Sequence, residues 1–325
     1  MIFSCIIPAK DENDPKLADL IRSIRAQKFP PGEVEIIVVT EGDSESAKAI
    51  GIKKAEGDFC VMLCTDNYIV DKHLFGAVRA IFDAQPVVSG VYSKFYHYDK
   101  TDNSLNRYFS LMGNNDPIPF YLNKCDRKPW YDNDPDEYTT SFGFRYNIPS
   151  LGDNGFFYRT AHLKKTNLDN YYPMDNAVDM ISQNHRYFVR YNCAMVWHRT
   201  SDNLISFLKK RYIYARDLYC ERSNRRWKVI DTAKDKARLL WFIVSTVTAL
   251  PCLWVSLKGY SKIRDRAWFW HWPVCIGFLI TYGILTLRNL CLVLSSLQRL
   301  ADLKRLGTVL SPCGLKPAKT LKSSK

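Results

Sequence analysis

Three side chains of this 325-residue sequence stand where their chemistry can be put to use: Asp66, Asp175 and His198. Asp66 follows the apolar run FCVML (Phe59 to Leu63) after only Cys64 and Thr65. It therefore lies just past the carboxyl end of a strand, the edge at which open α/β sheets bind ligands. A carboxylate there, with Asn67 beside it, is suited to hold a divalent cation; the position equally suits a solvated turn acid. Asp175, in MDNAVDM, serves either as a general base or as the cap of the helix that follows. His198 closes the strand-like YFVRYNCAMVWH, where an imidazole joins a metal shell or simply ends its strand with a hydrogen bond.

The elements that must position these groups follow from periodicity. IFSCIIPA (Ile2 to Ala9) is a short apolar run stopped by Pro8, as in a buried parallel strand, and the amino end MIFSCIIPAK reads as that first strand rather than a cleaved leader. DPKLADLIRSIRAQ places Leu17, Leu20, Ile21 and Ile24 at helical spacing, with Asp14 as N-cap and Pro15 in the first turn. VEIIVVT, AKAIGIKKAEG and FCVMLC then give strand, helix and strand. This alternation predicts a Rossmann-like α/β sheet. From Tyr98 to Asp153 the sequence is rich in Asn, Asp, Pro and Tyr with little periodicity, which predicts a lid or binding region.

Beyond Ser201 the character changes. NLISFLKKRYIYARDLY sets Leu204, Ile205, Leu208, Tyr212 and Tyr219 toward one side and basic residues toward the other. Leu239 to Leu257 is uncharged and about 28 Å long as a helix, and Ala267 to Leu287 about 31 Å, both near the thickness of a bilayer core. Trp268, Trp270 and Trp272 mark one end of the second run as an interfacial belt. The predicted organisation is a catalytic domain over 1–200, a basic amphipathic juxtamembrane segment over 201–238, a membrane hairpin over 239–290 with spans 239–257 and 267–287, and an amphipathic helix with a basic tail over 291–325. The basic connector KGYSKIRDR runs against a full hairpin, so a re-entrant or monotopic one is the alternative. The net charge of +13 is concentrated between Lys209 and Arg238, just before the first apolar run, which points to an anionic membrane rather than nucleic acid. The ten cysteines include no CxxC and several lie in apolar runs, as expected of thiols in a reducing compartment.

From its first strand onward the chain resembles the family 2 glycosyltransferases, whose nucleotide-sugar-binding fold is called GT-A. The resemblance rests on PAKDE (Pro8 to Glu12) after the first strand, VVTEGDSES after the second, Cys64-Thr65-Asp66 in place of an acidic D-x-D after the third, GDNGFFYR, and MDNAVDM in place of an E-D pair. It covers roughly residues 1–215. The apolar hairpin that follows looks like the branch that transfers sugars to polyprenyl phosphates. The resemblance implies a nucleotide-sugar donor held near Pro8, Ala9, Glu12, Glu41, Gly42, Thr65 and Asn67, and an acceptor near Asp153. It implies Mg²⁺ or Mn²⁺ on Asp66 with His198, and Asp175 in the catalytic position. Lys209 and Arg211 would meet a lipid phosphate or anionic headgroups. The expected protein is thus an inverting, metal-dependent transferase, anchored in a membrane with its catalytic domain on the cytoplasmic side. If the acceptor is a polyprenyl phosphate, already anionic, it needs no strong base; if it is a glycan hydroxyl, it needs Asp175 as one. A catalytically weak binding or assembly subunit is the reading outside enzymes, since TEG and CTD depart from the family's acidic pattern.

Overall fold

The computed structural model describes residues 1–132, 138–141, 148–151, 154–220 and 225–289. At its centre is a seven-stranded mixed sheet in the order β2-β1-β3-β7-β5-β8-β6. The strands β1 (Phe3–Pro8), β2 (Val34–Val39) and β3 (Phe59–Met62) are parallel, as the sequence predicts. The strand β7 (Phe156–Arg159) is inserted antiparallel between β3 and β5 (Val88–Phe95), while β8 (Tyr187–Ala194) runs parallel to β5 and β6 (Tyr138–Ser141) antiparallel to β8.

Alternation along β1 sends Phe3, Cys5 and Ile7 to one face and Ile6 to the other, so both faces must be covered. Helices α1 (Pro15–Arg25) and α3 (Leu74–Ala84) cover the first face with Leu17, Leu20, Phe75 and Phe82. Helices α2 (Ser44–Lys54) and α7 (Pro173–Ser182) cover the second with Ile52, Met180 and Ile181, and the single turn α6 (Thr160–Leu163) adds Leu163. The expected cap of α1 is present: Asp14 accepts from the Lys16 amide at 2.9 Å. Asp43 caps α2 in the same way, and the Ser46 amide on its carboxylate holds its pKa below the usual range. The strand-like stretch ending at His198 divides in two at Met195. Its second part, β9 (Val196–His198), leaves the main sheet to pair antiparallel with β4 (Asn67–Ile69).

The segment expected to lack regular elements contains two helices, α4 (Ser104–Met112) and α5 (Pro117–Leu122). Asn103 caps the first and Gly113, in the left-handed region, ends it; Asp116 caps the second and Asn123 ends it. These helices bury Leu105, Tyr108, Phe109 and Leu122 against the carboxy-terminal helices in a third core. That layer consists of α8 (Leu204–Cys220), α9 (Ala233–Thr248), α10 (Leu250–Lys262) and α11 (Arg266–Asn289), whose first turn is 3₁₀. Buried polar contacts tie it to the middle of the chain: Arg107 to Asp265 at 2.8 Å, Lys124 to Asp235 at 2.9 Å and Tyr282 to Asp116 at 2.8 Å.

Among the described residues one helix, α11, is long and apolar enough to cross a membrane. The first apolar run is not the straight span expected over Leu239 to Leu257. It breaks at Ala249, whose φ is 62°, and α9 and α10 meet at 86°. Pro251 supplies the reason, because it has no amide hydrogen and its ring collides with the carbonyl one turn back, at Val247. The connector read as a loop, KGYSKIRDR, is largely the end of α10, leaving only Ile263 to Asp265 between helices. The elbow's outer surface is apolar and uncovered: Val247 and Leu250 are each 72% exposed and Trp254 is 70% exposed. The predicted amphipathic return and basic tail over 291–325 lie outside the described residues.

Candidate active site

The carboxyl ends of β1, β2 and β3 and the amino end of the antiparallel β7 all reach one edge of the sheet. Asp66 stands on that edge. Its loop is fixed from beneath by Asn67, which is fully buried: the Asn67 side chain accepts from the Cys64 amide at 3.0 Å and donates to Asp66 Oδ1 at 3.1 Å. The loop closes through the Asn67 amide on the Cys64 carbonyl at 2.9 Å. Asn67 thus serves the shape of the turn instead of contacting a donor from the open side, which corrects the expectation for it.

His198 arrives by strand pairing. Asn67 lies opposite His198 in the β4–β9 register, and the Arg199 amide donates to the Asp66 carbonyl at 3.0 Å. The outcome is His198 Nε2 at 3.4 Å from Asp66 Oδ2, the imidazole nearly buried and the carboxylate side chain 27% exposed. Burial alone would raise the Asp66 pKa, but its charge interaction and hydrogen bond with His198 and the charge of Lys16 together hold it below the usual range. The two residues expected to share a metal are therefore adjacent.

The donor set fits a small divalent cation. One carboxylate oxygen and one imidazole nitrogen at 3.4 Å are near the separation of adjacent corners in an octahedral shell, about 3 Å for bonds of about 2.1 Å. Among the described residues no third His, Cys or acidic ligand joins them. Such an ion would complete its shell with phosphate oxygens and water, the usual mode for Mg²⁺.

Around the pair the wall is built by residues that sequence reasoning missed. Tyr96 lies with its ring centroid 5.2 Å from that of His198, and burial pushes its phenol up to about 12, so it is neutral. Its hydroxyl accepts from Arg127 Nη1 and from Asn154 Nδ2, each at 3.2 Å. Arg127, fully buried, also binds Asp126 at 2.7 Å, Ser93 at 3.0 Å and the Asn154 carbonyl at 2.7 Å. It thereby fixes the turn that leads into β7. Gly155 in that turn has a φ of 83°, and a Cβ there would stand 2.2 Å from Val196 of β9, so glycine lets the turn lie against the strand that carries His198. The signal for this wall was local: Lys124 to Lys128 is a charged cluster, KCDRK, inside a region otherwise read as irregular.

Pro8 and Ala9 end β1 on the same edge, with the Ala9 amide on the Val39 carbonyl at 3.0 Å. Glu12, Glu41 and Gly42 are exposed on the loops after β1 and β2, and Thr65 is half-buried beside Asp66. Asp153 lies outside the described residues. Lys209 is exposed on α8, whereas Arg211 binds Asn115 at 2.9 Å and stacks over Phe207 and Phe278, which makes it a tie within the helical layer and not a free phosphate ligand. The clefts lined by Asp58, Arg79 and Arg159 and by Lys53, Lys164 and Asn167 are elsewhere; the first lies at the opposite edge, where β1 and β3 begin.

Asp175 does not occupy the position expected of a base. It is in the first turn of α7, completely buried, and both oxygens are taken: Arg225 Nε donates at 2.9 Å and the Trp227 amide at 2.8 Å. Arg225 also stacks on Tyr172 at 4.0 Å, and Arg226 pairs with Asp179 at 2.6 Å. Asp175 therefore pins the segment after α8 onto the sheet domain.

No protein-family model matches the chain, and no curated protein matches it. Among solved structures it is similar to the 1–349 portion of TarS from S. aureus in complex with UDP-GlcNAc, with 17% identity and a TM-score of 0.44 over 86% of this chain and 81% of that one. It is also similar to the mannosyltransferase PcManGT from Pyrobaculum calidifontis in complex with GDP-Man and Mn²⁺, with 11% identity and a TM-score of 0.48 over 86% of each chain. At identities this low the likeness is one of chain path.

The buried pair gives a direct prediction. Asp175→Asn leaves the Arg225 charge uncompensated and is expected to destabilise the fold by about 3–5 kcal/mol, read as a lowered urea midpoint. A variant that keeps the wild-type midpoint yet loses all turnover would return Asp175 to the role of base.

Proposed function

We propose that this chain is a membrane-anchored glycosyltransferase that moves a sugar from a nucleotide-activated donor to a polyprenyl phosphate or related lipid-linked acceptor, with inversion. The observation that carries the reading is the Asp66–His198 pair at the carboxyl edge of the parallel strands β1 to β3, in a chain whose helical layer leaves an apolar outer surface uncovered. The two side chains would hold Mg²⁺ or Mn²⁺, which supplies charge neutralisation for a departing diphosphate.

The chain's own residues supply the rest. Asp66, like any ordinary carboxylate, is ionised through the neutral range, and the bond network of Asn67 holds it in place. Lys16, at the start of α1, adds positive charge on the side where a diphosphate would lie. Pro8, Ala9, Glu12, Glu41 and Gly42 form the floor and rim for the nucleoside. In the reaction an acceptor phosphate oxygen attacks the anomeric carbon from the face opposite the diphosphate, and the breaking C–O bond leaves its electron pair on the departing group. An acceptor that is already anionic asks for no proton acceptor, which agrees with Asp175 being occupied by Arg225 and Trp227.

The membrane part of the reading rests on the elbow. Leu240, Trp241, Val247, Leu250, Trp254 and Leu257 are all at least half exposed. Lysines flank them at Lys234, Lys236, Lys258 and Lys262. Apolar surface of this extent, rimmed by basic residues, suits an anionic bilayer surface. In this reading the elbow enters the near leaflet, α11 crosses or follows it, and the sheet domain faces the cytoplasm in keeping with the positive-inside tendency.

Full-length protein in lipid nanodiscs, given labelled UDP- and GDP-sugars with a polyprenyl phosphate and Mn²⁺, is expected to form a label extractable into organic solvent. Label that appears only on added glycan hydroxyls would replace the acceptor assignment, and absence of both turnover and nucleotide binding across the panel would favour a noncatalytic subunit. For the anchor, the Trp241→Lys, Leu250→Lys double variant is expected to float with anionic vesicles at least tenfold less than wild type, since each lysine costs about 2.5–3.5 kcal/mol in the hydrocarbon. Undiminished flotation would exclude the elbow from the bilayer.

A further inference from the structure

The helical layer holds a second cluster of ligand-type side chains, remote in sequence from Asp66 and independent of the transferase reading. Cys252 of α10 and His271 and Cys275 of α11 are each completely buried, and their ligand atoms lie within 4.8 Å of one another. Tyr121 of α5 joins them, its hydroxyl 3.2 Å from Cys252 Sγ and 3.2 Å from His271 Nε2, while Cys275 Sγ is 3.9 Å from the same nitrogen. We propose that Cys252, His271 and Cys275, with Tyr121 at the fourth corner, form a structural zinc site that fastens the membrane elbow to the middle of the chain.

Four observations support it. Zinc bonds of about 2.0 Å to nitrogen or oxygen and about 2.3 Å to sulfur give tetrahedral edges of about 3.3–3.8 Å, so the separations of 3.2, 3.2 and 3.9 Å need only small shifts to close on an ion. His271 and Cys275 are four residues apart on one helix and so project to the same side. The far ring nitrogen of His271, Nδ1, lies 2.9 Å from the buried Tyr108 hydroxyl; with Nδ1–H donating to that oxygen, the Nε2 lone pair faces the cluster. Charge agrees with this, because two thiolates and one neutral imidazole around Zn²⁺ sum to zero while the Tyr121 hydroxyl keeps its proton, which lowers the cost of burying the site.

Two sulfurs and an imidazole select zinc over the hard cations expected at Asp66. The close approach of α10 to α11 that brings Cys252 into reach is permitted at Gly259, where a Cβ would stand 2.3 Å from the Trp268 ring. The bound metal would add its binding free energy to the folding of α5, α10 and α11 together.

The test uses full-length protein purified in detergent without chelator. Elemental analysis is expected to find about one zinc per chain, and exchange into Co²⁺ is expected to give the intense d–d bands of tetrahedral cobalt with sulfur-to-cobalt charge transfer. Cys275→Ser and His271→Asn are each expected to lose the metal and to melt as the chelator-stripped wild type does. Should either variant fail to fold, the wild-type cobalt spectrum decides alone. Zinc below about a tenth of an equivalent after purification in excess zinc, cobalt bands without a sulfur component, or a Cys252–Cys275 disulfide found by non-reducing mass mapping would each overturn the site.

Discussion

Three residue pairs join β4 to β9, and the placement of all the chemistry depends on them. Asn67, Tyr68 and Ile69 meet His198, Trp197 and Val196 in antiparallel register, outside the main sheet. Strand side chains alternate, so a slip of one residue would turn His198 away from Asp66 and leave an isolated acid on a loop. Several contacts hold the register: the Arg199 amide on the Asp66 carbonyl, Ser23 of α1 accepting from the Ile69 amide at 3.2 Å, and buried Ile69 and Val196 in the first core. Arg127 and Asn154 then close the wall behind Tyr96.

The helical layer answers a different constraint. Its inner face is a true core with Phe109, Phe242, Trp268 and Phe278 buried, and its charged ties to the middle of the chain are satisfied. Its outer face offers Trp241, Val247, Leu250 and Trp254 to whatever surrounds it. At about 25 cal/mol per Å² of apolar surface, leaving such residues in water is unfavourable by several kcal/mol. The bilayer proposed above would remove that cost. The kink at Ala249 matters here, because a bent pair presents a blunt wedge where a straight helix would present a span.

The front of the fold was legible because it is locally encoded. Apolar runs stopped by Pro8 or by acidic turns, and caps at Asp14 and Asp43, fix β1 to β3, α1 and α2 with neighbours close in sequence. The turn that carries Asp66 and the strand end at His198 were legible for the same reason, whereas their adjacency comes from the pairing of β4 with β9, two strands far apart in sequence. The α4 and α5 helices were not, because short helices with Asn, Asp and Pro at their ends look like loop until their buried faces find α9 and α11; Leu105, Tyr108, Phe109 and Met112 carried the helical spacing. Asp175 misled in the opposite sense. An acid at a helix start fits both base and anchor, and only the return of Arg225 and Trp227, some fifty residues on, distinguishes them.

The central claim is that Asp66, oriented by Asn67 and paired with His198, binds the cation that stabilises the leaving diphosphate. It is tested most directly by calorimetric titration of nucleoside diphosphates into the full-length protein with and without Mn²⁺, for wild type and Asp66→Ala. The account predicts Mn²⁺-dependent binding in the wild type that weakens at least a hundredfold, or about 2.7 kcal/mol, in the variant. Equal affinity in the two proteins, or binding indifferent to the metal, would contradict it.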